Sequence, residues 1–208
     1  MLKNQEVMVD KRPLIILLHG AGASNQSAFL EYTRGCFESL GYPVRPYDFG
    51  YMQEAQATGK RRPPPKVEKL VEELRGLLSG SLNKSQPCVL VGKSMGGRVA
   101  TMLAATDCPA SVQAVAVLGY PFIGNGKNKQ PRTGHFEDIK VPVLIEQGTR
   151  DGFGKPEDVG AMELPKDGIS INWLPSGDHD FKPLRSSGFD QQQLIAKAVN
   201  HIDEWLNG

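Results

Sequence analysis

The chain alternates between short apolar runs and longer stretches in which apolar residues recur every three or four positions. A run that is apolar throughout is typical of a strand buried on both faces of a parallel sheet, whereas the wider spacing predicts a helix with one buried face. The predicted strands are residues 14–18, 42–49, 89–91, 114–118, 141–146 and 169–174, and the predicted helices are 27–40, 66–79, 97–106 and a last one capped by Asp190. Strands that alternate with helices predict an α/β fold: a mostly parallel sheet with helices on both faces and ligands bound beyond the carboxyl ends of the strands.

Two segments interrupt this alternation. Residues 50–65 contain Gly59, a basic run at 60–62 and three prolines at 63–65, which predicts an extended loop with a stiff polyproline end. Residues 120–140 are polar and contain loop-forming glycines, which predicts an irregular, exposed segment. That segment is too short to build a lid domain of several helices.

Composition narrows the class of protein. A chain of 208 residues is long enough for one substantial core, and we expect a single domain over residues 1–208. The formal net charge of +1 favours neither nucleic acid nor an anionic membrane as a partner. The three cysteines, Cys36, Cys88 and Cys108, are odd in number and lack metal-ligand spacing, which predicts a reducing, cytoplasmic setting without disulfides. The apolar run at 14–18 is too short to span a bilayer.

The candidate chemistry begins at residues 89–98, which read Val-Leu-Val-Gly-Lys-Ser-Met-Gly-Gly-Arg. An apolar strand here runs directly into Gly92-x-Ser94-x-Gly96 and then into a helix of small residues. A serine at such a strand-to-helix turn sits in a strained conformation with its Oγ clear of the sheet. The turn closes only where strand and helix approach closely, which residues without Cβ allow. Ser94 is therefore the candidate nucleophile.

Two nucleotide-binding motifs share some of these glycine-rich features. Gly92-Lys93-Ser94 resembles the end of a P-loop, but the glycine required five residues before the lysine is Cys88, and strand replaces the open phosphate loop. Gly20-x-Gly22 resembles the start of a dinucleotide fingerprint, but Asn25 occupies the third glycine position. Neither motif supports nucleotide binding.

Two more side chains with catalytic chemistry follow predicted strands directly. Asp151 lies in the loop after the strand at 141–146, and His179 lies in the loop after the strand at 169–174. A histidine can accept the proton of a serine hydroxyl, and a carboxylate can orient the imidazole. Asp178 and Asp180 flank His179, but adjacent residues rarely fold back onto the same imidazole edge, so Asp151 is the preferred acid. His19 is interpreted as a structural hydrogen-bonding residue at a strand end.

These motifs resemble those of the α/β-hydrolases, in which the three residues also occur in the order Ser, Asp, His. More closely, the chain resembles a predicted-hydrolase family shared by bacterial proteins, the testis-expressed hydrolase-like protein and a subunit of the NSL histone-acetylation complex. The resemblance extends from about Pro13 to Trp205, and its local features are His19-Gly20-Ala21-Gly22, Lys60-Arg61-Arg62-Pro63-Pro64-Pro65, Gly92-Lys93-Ser94-Met95-Gly96-Gly97, Gly148-Thr149-Arg150-Asp151 and Gly177-Asp178-His179. It implies a three-layer α/β-hydrolase fold with about six or seven strands, no lid domain, and an N-terminal hairpin reduced at most to a strand around Val7 to Val9.

The resemblance also implies roles for these residues. Ser94, His179 and Asp151 would act as nucleophile, base and orienting acid, and the backbone N–H groups of Ala21 and Met95 would form an oxyanion hole. The implied reaction is hydrolysis of a small-molecule ester or thioester, with no metal or organic cofactor, by a monomer or homodimer. A serine at the elbow argues against dehalogenase or epoxide-hydrolase chemistry, which uses Asp, and against dienelactone-hydrolase chemistry, which uses Cys.

Two further hypotheses remain open at this stage. Lys93 and Arg98 beside the turn, together with Arg61 and Arg62 in the loop, predict an anionic acyl substrate, although basic loop residues also serve simply as solvated surface. The second hypothesis is an inactive hydrolase fold retained as an interaction module. The presence of all three candidate residues favours an enzyme over such a module.

Overall fold

The computed structural model describes residues 12–80, 86–124 and 130–208. The strands are β1 (Leu14–Leu18), β2 (Val44–Tyr47), β3 (Cys88–Lys93), β4 (Val112–Leu118), β5 (Val143–Gly148) and β6 (Ile169–Leu174). The helices are α1 (Ala28–Ser39), α2 (Gly50–Thr58), α3 (Val67–Gly80), α4 (Met95–Thr106), α5 (Pro156–Gly160) and α6 (Gln191–Asn207). Single 3₁₀ turns occur at Phe136–Asp138 and Arg185–Ser187.

The strands form one sheet in the order β2-β1-β3-β4-β5-β6, and every neighbouring pair is parallel. The predicted α/β architecture, with a parallel sheet between helices, is confirmed. β2 is an edge strand, as its prolines predict, and it contains Pro46, which cannot donate to a neighbouring strand. β3, which leads to Ser94, lies inside the sheet between β1 and β4.

Alternate side chains of the buried strands lie in two separate hydrophobic cores, one on each face of the sheet. On β1, the side chains of Leu14, Ile16 and Leu18 lie in one core, whereas Ile15 and Leu17 lie in the other. The first core contains the apolar faces of α3 and α4, and the second contains those of α1 and α6. The continuous apolar runs of the sequence are therefore explained by burial of both sheet faces.

Residues 50–58 form helix α2, so the prediction of an extended loop over 50–65 is wrong for this part. The segment contains good helix formers such as Met52, Glu54 and Ala55, and the helix ends only at Gly59, which has a φ of 70°. The glycine and the prolines after it define the end of a helix and the irregular residues 60–66 that follow. They do not determine the structure of the residues before them.

In the segment after β4, the described residues 120–124 and 130–140 contain no helix or strand beyond the 3₁₀ turn at Phe136–Asp138, as predicted, but they are not all exposed. Tyr120, Phe122 and Phe136 are buried, and their rings contact one another edge to face. The prediction of an exposed segment followed from the polar composition of 120–140 and overlooked these three aromatic residues, which pack in the first core.

The strand expected around Val7 to Val9 lies outside the described residues. None of the helices in the described part of the chain has the length and apolar character needed to cross a bilayer.

Candidate active site

Ser94 lies at the single-residue turn between β3 and α4. Its φ of 50° and ψ of −108° place it in a strained conformation that non-glycine residues rarely adopt. Neighbouring glycines make the turn possible, because a Cβ on Gly92 would lie 2.2 Å from the Gly97 nitrogen and one on Gly96 would lie 2.7 Å from the His19 oxygen. The sequence pattern thus produces the strained turn that it predicts.

The three predicted side chains meet at the carboxyl ends of β3, β5 and β6. His179 Nε2 is 2.8 Å from Ser94 Oγ, and His179 Nδ1 is 2.8 Å from Asp151 Oδ2. Because an ionised carboxylate can only accept, the imidazole carries its proton on Nδ1 and leaves Nε2 free to accept the hydrogen of the serine hydroxyl. This arrangement is suited to deprotonating Ser94.

Asp151 is the acid that contacts the imidazole, and its side chain is fully buried. Its other oxygen, Oδ1, accepts a hydrogen bond from the backbone N–H of Phe153 at 2.8 Å. Asp178 instead accepts two backbone N–H groups of its own loop, those of Asp180 and Lys182. The structure therefore places the neighbouring acids away from the Nδ1 edge of His179.

Gln147 supports Asp151 and was not singled out from the sequence. Its Nε2 donates to Asp151 Oδ2 at 2.9 Å, and its Oε1 accepts from the backbone N–H of Tyr120 at 2.7 Å. The Gln147 side chain is fully buried at the end of β5, four residues before the acid. A polar residue within an apolar strand was the available signal, since a buried amide must find partners.

Lys93 also has a defined position beside the site. Its ammonium group donates to the backbone oxygen of His179 at 2.7 Å, lies 3.5 Å from Asp180 Oδ1 and stands over the Phe29 ring. Burial lowers the pKa of Lys93, and Asp180 opposes that shift. Lys93 therefore fixes the loop that carries the base, and its charge is already compensated.

Ala21 and Met95 line the same cavity as Ser94, and Met95 directly follows Ser94 in the chain. Met95 is the first residue of α4, and the N–H groups of a first helical turn have no partner within the helix. Tyr51 contacts both residues: its hydroxyl donates to the Ala21 oxygen at 3.1 Å and lies 3.9 Å from Met95 Sδ. Burial raises the pKa of Tyr51 to about 12, so this hydroxyl keeps its proton.

His19 has the structural role predicted for it. The ring is fully buried, its Nε2 accepts from the Phe49 backbone N–H at 3.0 Å, and its Nδ1 lies 2.6 Å from the Gly20 oxygen. Burial lowers the pKa of His19, which keeps the ring neutral at pH 7. It joins the end of β1 to the start of α2.

Comparison with known proteins agrees with this architecture. Residues 11–207 match a family model described as an alpha/beta hydrolase domain. The chain belongs to this alpha/beta hydrolase family. A search of curated proteins gave no match.

Several solved structures share the fold of this α/β hydrolase. Est1E from Butyrivibrio proteoclasticus is 13% identical, with a TM-score of 0.67 over 95% of this chain and 90% of that chain. A dienelactone hydrolase from Anabaena variabilis is 20% identical, with a TM-score of 0.67 over 93% and 85%. The esterase domain of a Rhodothermus marinus protein is 17% identical, with a TM-score of 0.63 over 95% and 88%.

Two cavities of this α/β hydrolase meet at Ser94. One, of about 520 Å³, is lined by His179, Lys93 and the first turn of α1. The other, of about 320 Å³, is lined by Met95, Arg98, Arg132 and the start of α3. Ala21 and Phe153 border both cavities, so Ser94 is accessible from two directions.

Arg61 and Arg62, predicted to bind substrate, line a third cavity of about 580 Å³ between α2 and the loop after β1. Ala21 borders this cavity but Ser94 does not. Arg62 forms an ion pair with Glu54 at 3.1 Å, and both arginines are exposed. The structure therefore does not bring these two arginines to the candidate nucleophile.

Across the described parts of the chain, no group of three or more His, Cys, Asp or Glu residues is arranged to hold a metal ion.

Proposed function

We propose that this α/β hydrolase is a serine hydrolase that cleaves a small ester or thioester through an acyl-enzyme on Ser94. The observation that carries the proposal is the pair of 2.8 Å hydrogen bonds linking a strained serine to a histidine and that histidine to a buried aspartate. A hydroxyl is a poor nucleophile at neutral pH, and an adjacent base in this geometry is the usual means of activating it.

The proposed reaction has two half-reactions. His179 Nε2 takes the proton of Ser94 as Oγ bonds to the carbonyl carbon, and the imidazolium then gives that proton to the departing oxygen or sulfur. In the second half, His179 takes a proton from water, the hydroxide attacks the acyl carbon, and the proton returns to Ser94 Oγ as the carboxylic acid leaves. Asp151 stabilises the positive charge that develops on the imidazole in each half.

The negative charge on the former carbonyl oxygen needs donors that are already in place. The backbone N–H groups of Ala21 and Met95 are assigned this role, and each is expected to contribute about 3 kcal/mol to transition-state stabilisation. The hydrogen bond from Tyr51 to the Ala21 backbone oxygen supports the assignment of Ala21, because a fixed backbone loses less free energy to reorganisation than a mobile one.

The decisive experiment is reaction of the folded protein with a fluorophosphonate probe, followed by mass spectrometry of the adduct. Label on Ser94 is expected. Ser94→Ala should abolish the label and lower kcat for an ethyl ester and for the matched ethyl thioester by about 10⁶-fold, the loss typical of serine proteases without their nucleophile. A folded wild-type protein that takes up no label would contradict the proposal and favour the alternative, a hydrolase fold retained as an interaction module.

A further inference from the structure

Two arginines converge on the smaller cavity beside Ser94. Arg98 lies one turn into α4, and its backbone N–H donates to the Ser94 oxygen at 3.0 Å. Side chains of a helix lean toward its N-terminus, which directs Arg98 back along α4 toward the nucleophile. Arg132 enters the same cavity from the segment after β4, where Tyr120 fixes it by donating to its backbone oxygen at 2.7 Å.

The two guanidinium groups have no acidic partner in the part of the chain that the structure describes. No carboxylate lies within ion-pair distance of either, and the buried Nε of Arg98 has no hydrogen-bond partner among the described residues. Burial and then the nearby charge of Arg98 lower the pKa of Arg132. The neighbouring His135 is neutral at pH 7, because burial and Arg98 lower its pKa to about 4. Like charges are thus placed together at a cost in free energy that an anion would offset.

The position of the base determines which part of a substrate enters this cavity. His179 must reach the leaving atom to protonate it, and His179 lines the larger cavity only. The leaving group therefore occupies the larger cavity. The remaining substituent of the carbonyl carbon, which is the acyl chain, points into the smaller cavity with Arg98 and Arg132.

We infer that Arg98 and Arg132 bind an oxyanion at the far end of the acyl chain, so that the preferred substrates are esters or thioesters of acids carrying a terminal carboxylate or phosphate. This inference rests on the proposed serine-hydrolase function. Guanidinium groups donate two parallel hydrogen bonds to either kind of oxyanion. Arg98 follows Ser94 by four residues, a rise of about 6 Å along the helix, which suits an acyl chain of about four or five carbons.

The other basic residues near the site are less suited to this role. Lys93 is already engaged by the His179 oxygen and Asp180, and it lies in the leaving-group cavity. Arg62 is paired with Glu54 in a cavity that does not include Ser94. Binding of the anionic acyl group expected from the sequence is therefore assigned to Arg98 and Arg132. Arg98 was among the basic residues named from the sequence, whereas Arg132 was not.

The experiment compares kcat/KM for four esters of low intrinsic reactivity, with product followed by nuclear magnetic resonance. Monoethyl glutarate and ethyl 4-phosphonobutanoate carry a terminal oxyanion on the acyl group, and ethyl pentanoate is the neutral match. The fourth ester, 3-carboxypropyl propanoate, carries its charge on the leaving group. We expect one or both of the first two to exceed ethyl pentanoate by at least about 10-fold, and their ratio identifies the preferred oxyanion.

Two variants locate the charge that causes the preference. Arg98→Gln and Arg132→Gln should each lower the anionic-to-neutral ratio of kcat/KM by about 10- to 100-fold, as expected for loss of a hydrogen bond to a charged group. Arg34→Gln, which removes an arginine from the exposed face of α1, is the matched control and should leave the ratio unchanged. Near-ultraviolet circular dichroism of each variant verifies that it is folded. If only one of the two arginine variants folds, its ratio of kcat/KM is enough to test the inference.

Each remaining outcome counts against the inference. Equal kcat/KM for charged and neutral acyl groups overturns it, as does a preference for 3-carboxypropyl propanoate or a preference that survives both variants. These failures are distinct from failure of the proposed function, in which neither fluorophosphonate labelling of Ser94 nor turnover of ethyl pentanoate is observed.

Discussion

The amide of Gln147 connects the acid of the site to the segment after β4. Its Nε2 lies 2.9 Å from Asp151 Oδ2 and 3.2 Å from the backbone oxygens of both Tyr120 and Gly154. A buried carboxylate with two fixed donors, this amide and the Phe153 N–H, has little freedom to rotate away from His179. In the proposed mechanism, Gln147 would therefore act through Asp151 as a positioning residue.

Gln147→Leu is expected to lower kcat by about 10- to 100-fold with little change in KM, because a hydrogen bond to a charged acceptor is lost while the cavities keep their lining. Steady-state kinetics on ethyl pentanoate measures both constants. Gln53→Leu, which removes an exposed amide that donates to the Asp48 oxygen, is the control and should retain the wild-type kcat. A rise in KM at constant kcat would assign Gln147 to substrate binding instead.

Among individual residues, the sequence predicted those candidate site residues that directly follow a strand and lie in a recognisable motif or loop. Ser94 has a glycine motif, and Asp151 and His179 stand in loops directly after apolar runs. Gln147 and Arg132 could not be found in the same way, because a residue that supports or extends a site through tertiary contacts has no fixed spacing from it. Arg132 is 38 positions from Ser94 in an irregular segment, and only the fold brings it to the cavity.

At the scale of elements, contact between β3, α4 and β4 depends on glycine. A Cβ on Gly97 would lie 2.2 Å from Val117 Cγ1 on β4, a distance that real Cβ atoms do not reach. Helix α4 can approach the sheet closely because its first turn carries no bulk there. That approach places the start of the helix, and with it Met95, next to Ser94.

Gly97→Ala should lower the free energy of unfolding by about 1–3 kcal/mol or more, since the added methyl group must displace Val117 or shift α4. Urea denaturation followed by circular dichroism measures the change. Gly35→Ala is the matched control: Gly35 lies on the exposed side of α1, and a Cβ there meets nothing within 4 Å. Its substitution should raise the free energy of unfolding by about 0.5–1 kcal/mol. Unchanged or increased stability of Gly97→Ala would contradict the close-packing argument, because the gain in helix propensity would then not be opposed by a clash with Val117.

The bounds of helices and strands were predicted best where apolar runs are continuous, and worst where glycine and proline residues are frequent. β1 and β6 occur at the predicted residues, because burial on both faces or strict alternation leaves one interpretation. α2 was missed since Gly59 and three prolines outweighed the helix formers before them. The aromatic anchor of 120–136 was missed since its three rings are separated by polar residues and share no period.

For the whole molecule, the buried Glu146 makes stability depend on pH. Its carboxylate accepts from Asn172 Nδ2 at 2.9 Å on β6 and lies 3.1 Å from His201 Nδ1 on α6. Burial raises the pKa of Glu146 to about 7, although Asn172, His201 and the charge of Lys197 oppose the shift. Three elements thus share one ionisable group that is fully enclosed.

A raised pKa for an acid means that the folded state binds the proton more tightly than the unfolded state. The Glu146 contribution to the free energy of unfolding is therefore greatest below about pH 4.5 and declines as pH rises through about 7, by up to about 3 kcal/mol. Glu146→Gln is nearly isosteric and should remove this decline. Urea denaturation at pH 5 and pH 8 tests it: the variant should gain stability relative to wild type between the two values, and a constant difference would be the contrary result.

The candidate catalytic side chains follow strands at different positions in the sheet, some in the interior and one at an edge. Ser94 follows β3, an interior strand. His179 follows β6, which is partly exposed along its length and, among the strands that the structure describes, pairs only with β5. Local opening of a protein starts where pairing is one-sided and burial is incomplete. We therefore expect fraying of the β6 edge to move His179 away from Ser94 without disturbing the turn at Ser94. Local opening of this edge, at a lower free energy than global unfolding, would then be enough to disrupt the proposed catalytic arrangement.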